Sequence, residues 1–307
     1  FFPSYFGLIG TTVVMSLGFH YFETTAQSLT LQYFNKRTAP LVFGKLRSFA
    51  AASNIGVGAL IFLLVPVLTY KQIYIVIGGL ILSAAVWSFT KEPIRRGLPP
   101  QRIKVIVRTR YWLYYFLTLM AGARRQIFVA FAVFLLVKKF GYTVQEITVL
   151  FVVNNVVNYF LSPLIGKAIV RFGERKVLSG EYASLIVIFL AYAVVDSKWI
   201  VAVLYVLDHI FFNFSMAIRT FFQKIGDPGD IAPSMAAGFT INHIGAVVFP
   251  VVGGVLWMVD YRIPFIAGAA MSLISLVAVQ LITGQVRKAR LRQEALDEAA
   301  AVIPGRQ

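Results

Sequence analysis

Charged side chains interrupt several long apolar stretches of this 307-residue sequence. Arg124 and Arg125 stand side by side within the stretch 111–137. If that stretch crosses a membrane, an arginine there costs roughly 2.5–3.5 kcal/mol, so it should face a cavity or an opposite charge. A guanidinium that faces a cavity can bind a carboxylate or a phosphate in a forked geometry. We therefore predict substrate contacts at Arg124 and Arg125. Ion pairing of both with other helices, which would suit a neutral substrate, is the alternative.

Titratable residues lie in the same kind of stretch. They are two acidic residues and all three histidines of the chain: Glu23, Asp208, His20, His209 and His243. Histidine titrates near neutral pH, and His20 shares a helix face with Glu23, three residues further on. We predict that this set handles protons. A metal site is the weaker interpretation, because no ligands have the spacing expected of one, and no cofactor is predicted.

Asparagines form a third polar group. Asn154 and Asn158 are four residues apart and share a helix face, and Asn213 lies in a later apolar stretch. Polar side chains within membrane helices commonly hydrogen-bond to other helices. Contact of these three asparagines with a substrate is the functional alternative.

The composition places these residues in a membrane protein. Hydrophobic residues make up 58% of the chain and charged residues 14%, against about 25% charged in soluble domains. The absence of cysteine excludes disulfides, thiol nucleophiles and cysteine-ligated metals. Stretches this long and apolar predict membrane-spanning helices. We count nine, over residues 5–30, 41–68, 71–90, 111–137, 144–169, 178–196, 198–222, 231–258 and 262–284.

The net charge of +16 is unevenly distributed. Most of the 29 Lys and Arg residues fall in or beside every second connection between the stretches. We count Arg47 and Arg219 among the residues of these basic connections. The opposite connections hold Lys71, Lys138, Lys139, Lys198 and Arg262. Basic loops face the cytoplasm, so the charge reflects membrane topology and not nucleic-acid binding. We predict a multi-pass protein of the plasma (inner) membrane with a cytoplasmic tail.

Four segments follow from this topology. They are a three-helix group over 1–90, a cytoplasmic basic linker over 91–110, a six-helix bundle over 111–285 and a tail over 286–307. The first three helices also echo the last three. His20 matches His209, and Pro40 matches Pro228 at nearly the same offset. The middle three helices then lack partners, so we expect about three more helices upstream of Phe1, in a protein of twelve.

At this point the sequence resembles the major facilitator superfamily, whose members have two six-helix bundles. The segment from Gly166 to Lys176 is similar to the family's basic loop motif, with Val170 at a place that is often acidic. Its matching residues are Gly166, Arg171, Gly173, Arg175 and Lys176. The segment from Gly245 to Gly254 resembles a Gly/Pro-rich helix motif, although close helix packing also explains it.

The resemblance implies an all-α, two-bundle membrane fold that moves small solutes by alternating access. By that resemblance, the first, fourth and seventh helices line the central cavity. The predicted protein is a secondary active transporter of a small polar or anionic solute, coupled to protons, monomeric and not an enzyme. The alternative is a non-transporting membrane scaffold or a subunit of a membrane enzyme.

Overall fold

The structure is a computed structural model, and it describes residues 4–91, 97–104 and 107–302. Within these ranges the chain is helical and contains no strand. Nine helices there are long and apolar enough to cross a membrane, which confirms the predicted all-α polytopic fold. They are α1 Tyr5–Tyr33, α2 Ala39–Leu64, α3 Tyr70–Phe89, α4 Thr109–Lys138, α5 Val144–Phe172, α6 Glu174–Val194, α7 Lys198–Ile225, α8 Ile231–Val259 and α9 Arg262–Val279, followed by α10 Ile282–Val302.

Local sequence signals fix several helix ends. Pro40 occupies the first turn of α2, where its missing N–H costs no hydrogen bond. Thr143 and Glu146 form a reciprocal capping box at the start of α5. Gly173 has φ +80° between α5 and α6, a conformation that glycine adopts without strain. These signals set the chain reversals between consecutive membrane helices.

Two helices change their hydrogen-bonding pattern beside polar residues. The α4 helix becomes a π-helix over Ile127–Ala132, directly after Arg124 and Arg125. The α7 helix tightens into a 3₁₀ turn over Asn213–Ser215. Interruptions of this kind are frequent at functional sites because they redirect neighbouring side chains.

Most of the apolar core lies within the 111–285 group, and Leu31, Ala39 and Phe43 of the first two helices pack against it. Tyr182, Phe189, Phe221 and Phe265 are among its fully buried side chains. The helices α1 to α3 instead expose apolar side chains along much of their length, Phe62 among them. Broad exposed apolar surface of this kind suits contact with lipid.

The 1–90 group meets the 111–285 group where α2 crosses α5. A Cβ on Gly44 would lie 2.6 Å from the carbonyl oxygen of Ser162, and one on Gly166 would lie 2.5 Å from that of Pro40. The two backbones are therefore in contact, as small residues allow in membrane helices. Ser48 also donates a hydrogen bond of 2.6 Å to the carbonyl oxygen of Tyr159. These contacts lie in the halves of α2 and α5 nearer the linker, which we call the linker end.

The linker is fastened to the loop before α8. Arg102 Nη1 lies 2.7 Å from Asp230 Oδ1, and Arg108 Nε lies 2.6 Å from Asp230 Oδ2. Asp230 is 1% exposed and also accepts a hydrogen bond of 3.0 Å from the Tyr111 hydroxyl. The hydrogen bond to Asp230 raises the pKa of Arg102. One buried carboxylate thus gathers several linker side chains, while Arg95 and Arg96 lie outside the described residues.

Replacing this carboxylate should loosen the linker. We expect Asp230→Asn to lower the free energy of unfolding by about 1–3 kcal/mol. Removing one partner of a fully buried ion pair costs more than this range. The arginines that pair with Asp230 are partly exposed, so the expected loss is smaller. Hydrogen exchange over residues 97–104 should become faster. Asp227→Asn is the matched control, because Asp227 is half-buried and pairs with Arg110. Equal exchange in the wild type and Asp230→Asn would contradict the assignment.

The predicted division into 1–90, 91–110, 111–285 and 286–307 stays a prediction. The non-helical run over 97–104 and 107–108 falls within the predicted linker. Each predicted membrane span overlaps one observed helix, with differences of a few residues at the ends.

Candidate functional site

A central cavity of about 470 Å³ lies between the two groups of helices. Its walls come from α1, α2, α4, α7 and α8, each contributing its linker-end half. The first, fourth and seventh helices therefore do line the cavity, as the resemblance implies. Its polar and charged lining residues are Glu23, Gln27, Thr30, Arg47, Tyr114, Thr118, Arg125, Ser215, Arg219, Asn242 and His243.

The charge of the central cavity is predominantly positive. Arg47, Arg125 and Arg219 line it together with one carboxylate, Glu23. In the described part of the chain none of the three arginines forms an ion pair. When all four groups are ionised, positive charges outnumber the negative charge by two. The cavity is therefore suited to hold an anion.

Aromatic rings hold these arginines in place. The guanidinium carbon of Arg47 lies 5.8 Å from the ring centroid of Phe212, and that of Arg125 lies 5.5 Å from the same ring. Arg219 lies 5.8 Å from the ring centroid of Phe43. Cation–π contacts leave the N–H groups of a guanidinium available to a ligand. The arginines are thus positioned while their hydrogen-bonding capacity stays open.

The predicted proton residues separate into two places. Glu23 lines the cavity and accepts a hydrogen bond of 3.0 Å from Gln27. His20 of α1 contacts His243 of α8, with ring centroids 4.6 Å apart. These three belong to the central cavity or its rim. Asp208 instead lines a second, small pocket inside the 111–285 group.

Of the two adjacent arginines, only Arg125 lines the central cavity in the described structure. Arg124 is 3% exposed; it donates a hydrogen bond of 2.6 Å to Ser275, and its Nη2 lies 3.8 Å from Glu181 Oε1. Successive helix positions point about 100° apart, which explains the separation. Arg124 therefore pairs with a carboxylate of another helix, and Arg125 lines the cavity.

His209 belongs to a polar cluster with the asparagines. The Asn158 amide lies 2.6 Å from His209 Nε2, and Asn213 donates hydrogen bonds to Asn158 and to the His209 carbonyl oxygen. Asn154 is 1% exposed and has no hydrogen-bond partner among the described residues. Asn154, Asn158 and Asn213 are outside the central cavity lining, and the hydrogen bonds of the last two support the helix-to-helix interpretation.

The basic loop motif lies at the linker end. Gly166 packs against Pro40, and Gly173 makes the turn into α6. Arg175 donates a hydrogen bond of 3.5 Å to Thr283, while Arg171 and Lys176 are exposed. The motif therefore joins α5 and α6 to the neighbouring elements and has no contact with the central cavity. Its predicted conformational role stays a prediction.

The structure differs from the sequence prediction at Arg47, Arg219 and Glu181. The two arginines were assigned to the basic connections, but they lie inside α2 and α7. Pro40 marks the start of α2 seven residues before Arg47 and could have corrected the first assignment. Glu181 is not among the predicted site residues, because the resemblance implies that only the first, fourth and seventh helices line the cavity.

The fold and the site define a helical membrane protein with a central, positively charged cavity. A family model described as the Major Facilitator Superfamily matches residues 1–229 and, in a second match, 114–305. The two matches together span nearly the whole chain, so this chain belongs to the Major Facilitator Superfamily. A comparison with curated proteins gave no match. The chain is accordingly a multi-pass membrane protein and a secondary transporter of a solute.

Proposed function

We propose that this chain transports a small anionic solute, coupled to protons, by alternating access. The observation that carries the proposal is the set of three arginines facing one carboxylate in the central cavity. Guanidinium groups bind carboxylate and phosphate oxygens in a forked geometry. A site in a membrane interior with unpaired positive charge is stabilised when an anion binds. An uncharged solute would leave that charge uncompensated.

The contacts between the two helix groups support alternating access. The α2–α5 crossing and the hydrogen bonds from Gln223 to the carbonyl oxygens of Leu31 and Phe34, both 2.7 Å, join the groups at the linker end. At the opposite end, Gly56 and Gly58 of α2 have open space around them. This arrangement fits a state that is closed at the linker end. The basic residues of the linker support a cytoplasmic position for that end.

Protons are the proposed coupling ion. Glu23, His20 and His243 place titratable groups at the cavity, where a bound solute would contact them. Asp208 and His209 provide further titratable groups inside the 111–285 group. We propose that the protein acts as a monomer in the plasma (inner) membrane with its tail in the cytoplasm.

Transport in liposomes tests this proposal. The chain should be reconstituted and supplied with radiolabelled inorganic phosphate, succinate, glucose and choline as probes of solute charge. We expect exchange or uptake of at least one anion and none of glucose or choline. An inward proton gradient should increase the anion uptake, and a protonophore should abolish the increase. Preference for glucose or choline over both anions would overturn the anion assignment.

A further inference from the structure

A second, small pocket lies inside the 111–285 group beside the central cavity. Its volume is about 10 Å³, which is room for about one water molecule. Ala121, Phe212 and Ser215 line both this pocket and the central cavity. The two spaces are therefore adjacent, and these three residues form a shared wall.

Charged side chains from three helices face this pocket. They are Arg124 of α4, Glu181 of α6 and Asp208 of α7, which we call the buried cluster. Each is at most 3% exposed. Arg124 pairs with Glu181 and interacts electrostatically with Asp208. With all three groups ionised, the buried cluster holds one uncompensated negative charge.

The unpaired hydrogen-bonding capacity of the cluster is on its carboxylates. Glu181 Oε2 and Asp208 Oδ2 are buried and have no hydrogen-bond partner among the described residues. The remaining titratable groups that face the cluster are three phenols. They are Tyr182 with its ring 4.4 Å from the Arg124 guanidinium carbon, and Tyr192 and Tyr205 beside Asp208. No second cation faces the cluster in the described part of the chain.

We propose that the buried cluster binds a single proton, on the carboxyl of either Glu181 or Asp208, and that this proton is the coupling ion of the transporter. The inference rests on the proposed function, since it locates the coupling site of that activity. Burying an uncompensated charge is so unfavourable that such a group takes up a proton. One bound proton brings the net charge of the cluster to zero. A metal ion fits less well, because the described residues contain no cluster of three or more metal-ligating side chains.

The shared wall gives this proton an electrostatic connection to the solute. Phe212 belongs to the wall, and Arg47 and Arg125 lie over its ring on the cavity side. An anion bound by these arginines adds negative charge next to the cluster, which favours its protonated form. Linkage is reciprocal, so the protonated cluster favours the bound anion. The sign of this coupling makes the protein a symporter of an anion and a proton.

Infrared difference spectroscopy on the full chain in lipid nanodiscs tests the proton site. Spectra recorded between acidic and alkaline buffer should show the C=O stretch of a buried protonated carboxyl, which disappears as the proton leaves. We expect Glu181→Gln and Asp208→Asn each to abolish this band. In either variant the one remaining carboxylate balances the charge of Arg124 and therefore binds no proton. The control is Glu146→Gln, which removes a partly exposed carboxylate far from the buried cluster in sequence and keeps the capping box.

Several outcomes decide the inference. Absence of the band from the wild type, or its persistence in both variants, would overturn the proton site. Loss of the band when sodium replaces potassium in the buffer at constant pH would also overturn the proton site, in favour of a sodium site. If neither variant folds, the wild-type spectrum decides. Because no transported solute is present, failure of the anion transport experiment leaves this measurement unaffected.

Discussion

Arg219→Gln should reduce anion transport by about 10- to 150-fold at limiting solute concentration. A hydrogen bond to a charged group contributes about 1.5–3 kcal/mol, and each 1.4 kcal/mol is tenfold in affinity. Glutamine keeps much of the side-chain length but removes the positive charge. Arg47→Gln and Arg125→Gln should act in the same direction, because these arginines line the same cavity. The measurement is the concentration dependence of exchange in liposomes.

Lys45→Gln is the matched control for the arginine variants. Lys45 lies on α2 two residues before Arg47, is exposed, and does not line the central cavity. Removing its charge should leave the apparent affinity within about twofold, since water and salt weaken the interactions of a solvent-exposed charge. Equal losses in Lys45→Gln and Arg219→Gln would mean that overall basicity, and not the cavity, attracts the anion. Unchanged transport in all three arginine variants would overturn the proposed site.

The fold was predictable because membrane helices are encoded in continuous apolar length. A span of about 20 apolar residues has few alternatives in lipid, where every backbone group must be hydrogen-bonded within the helix. The stretch 71–90 and the helix Tyr70–Phe89 therefore nearly coincide. Interruptions inside helices were not predictable in this way. The π-helix over Ile127–Ala132 depends on packing against other helices, which apolar length does not record.

The site was predictable in part, and the difference lies in helix rotation. The sequence placed Arg124 and Arg125 within one helix, but which of them faces the cavity depends on the neighbours of α4. Arg124 turns towards Glu181 and Ser275, and Arg125 turns towards the cavity. Arg47 and Arg219 illustrate a second reason. A basic residue near a helix end has the same appearance in sequence whether it belongs to a loop or faces inwards.

Gly44→Ala should shift the protein away from the state that is closed at the linker end. The new Cβ would lie 2.6 Å from the Ser162 carbonyl oxygen, and that oxygen belongs to the backbone of α5. Overpacking of this kind costs about 1–3 kcal/mol. An energy difference of that size changes a two-state ratio by about 5- to 150-fold. If transport requires this closed state in each cycle, the turnover rate should fall accordingly.

Gly56→Ala provides the control on the same helix, because a Cβ at that position meets nothing within 4 Å. This substitution should stabilise α2 by about 0.5–1 kcal/mol, the usual gain of alanine over glycine in a helix. The chain has no cysteine, so spin labels at Lys45→Cys and Lys167→Cys can report the α2–α5 distance without background labelling. We expect Gly44→Ala to lengthen that distance by about 2 Å or more, because the distance between packed helix axes varies by about this much with the size of the side chains at the contact. An unchanged distance with unchanged turnover would show that the α2–α5 contact does not limit the conformational change.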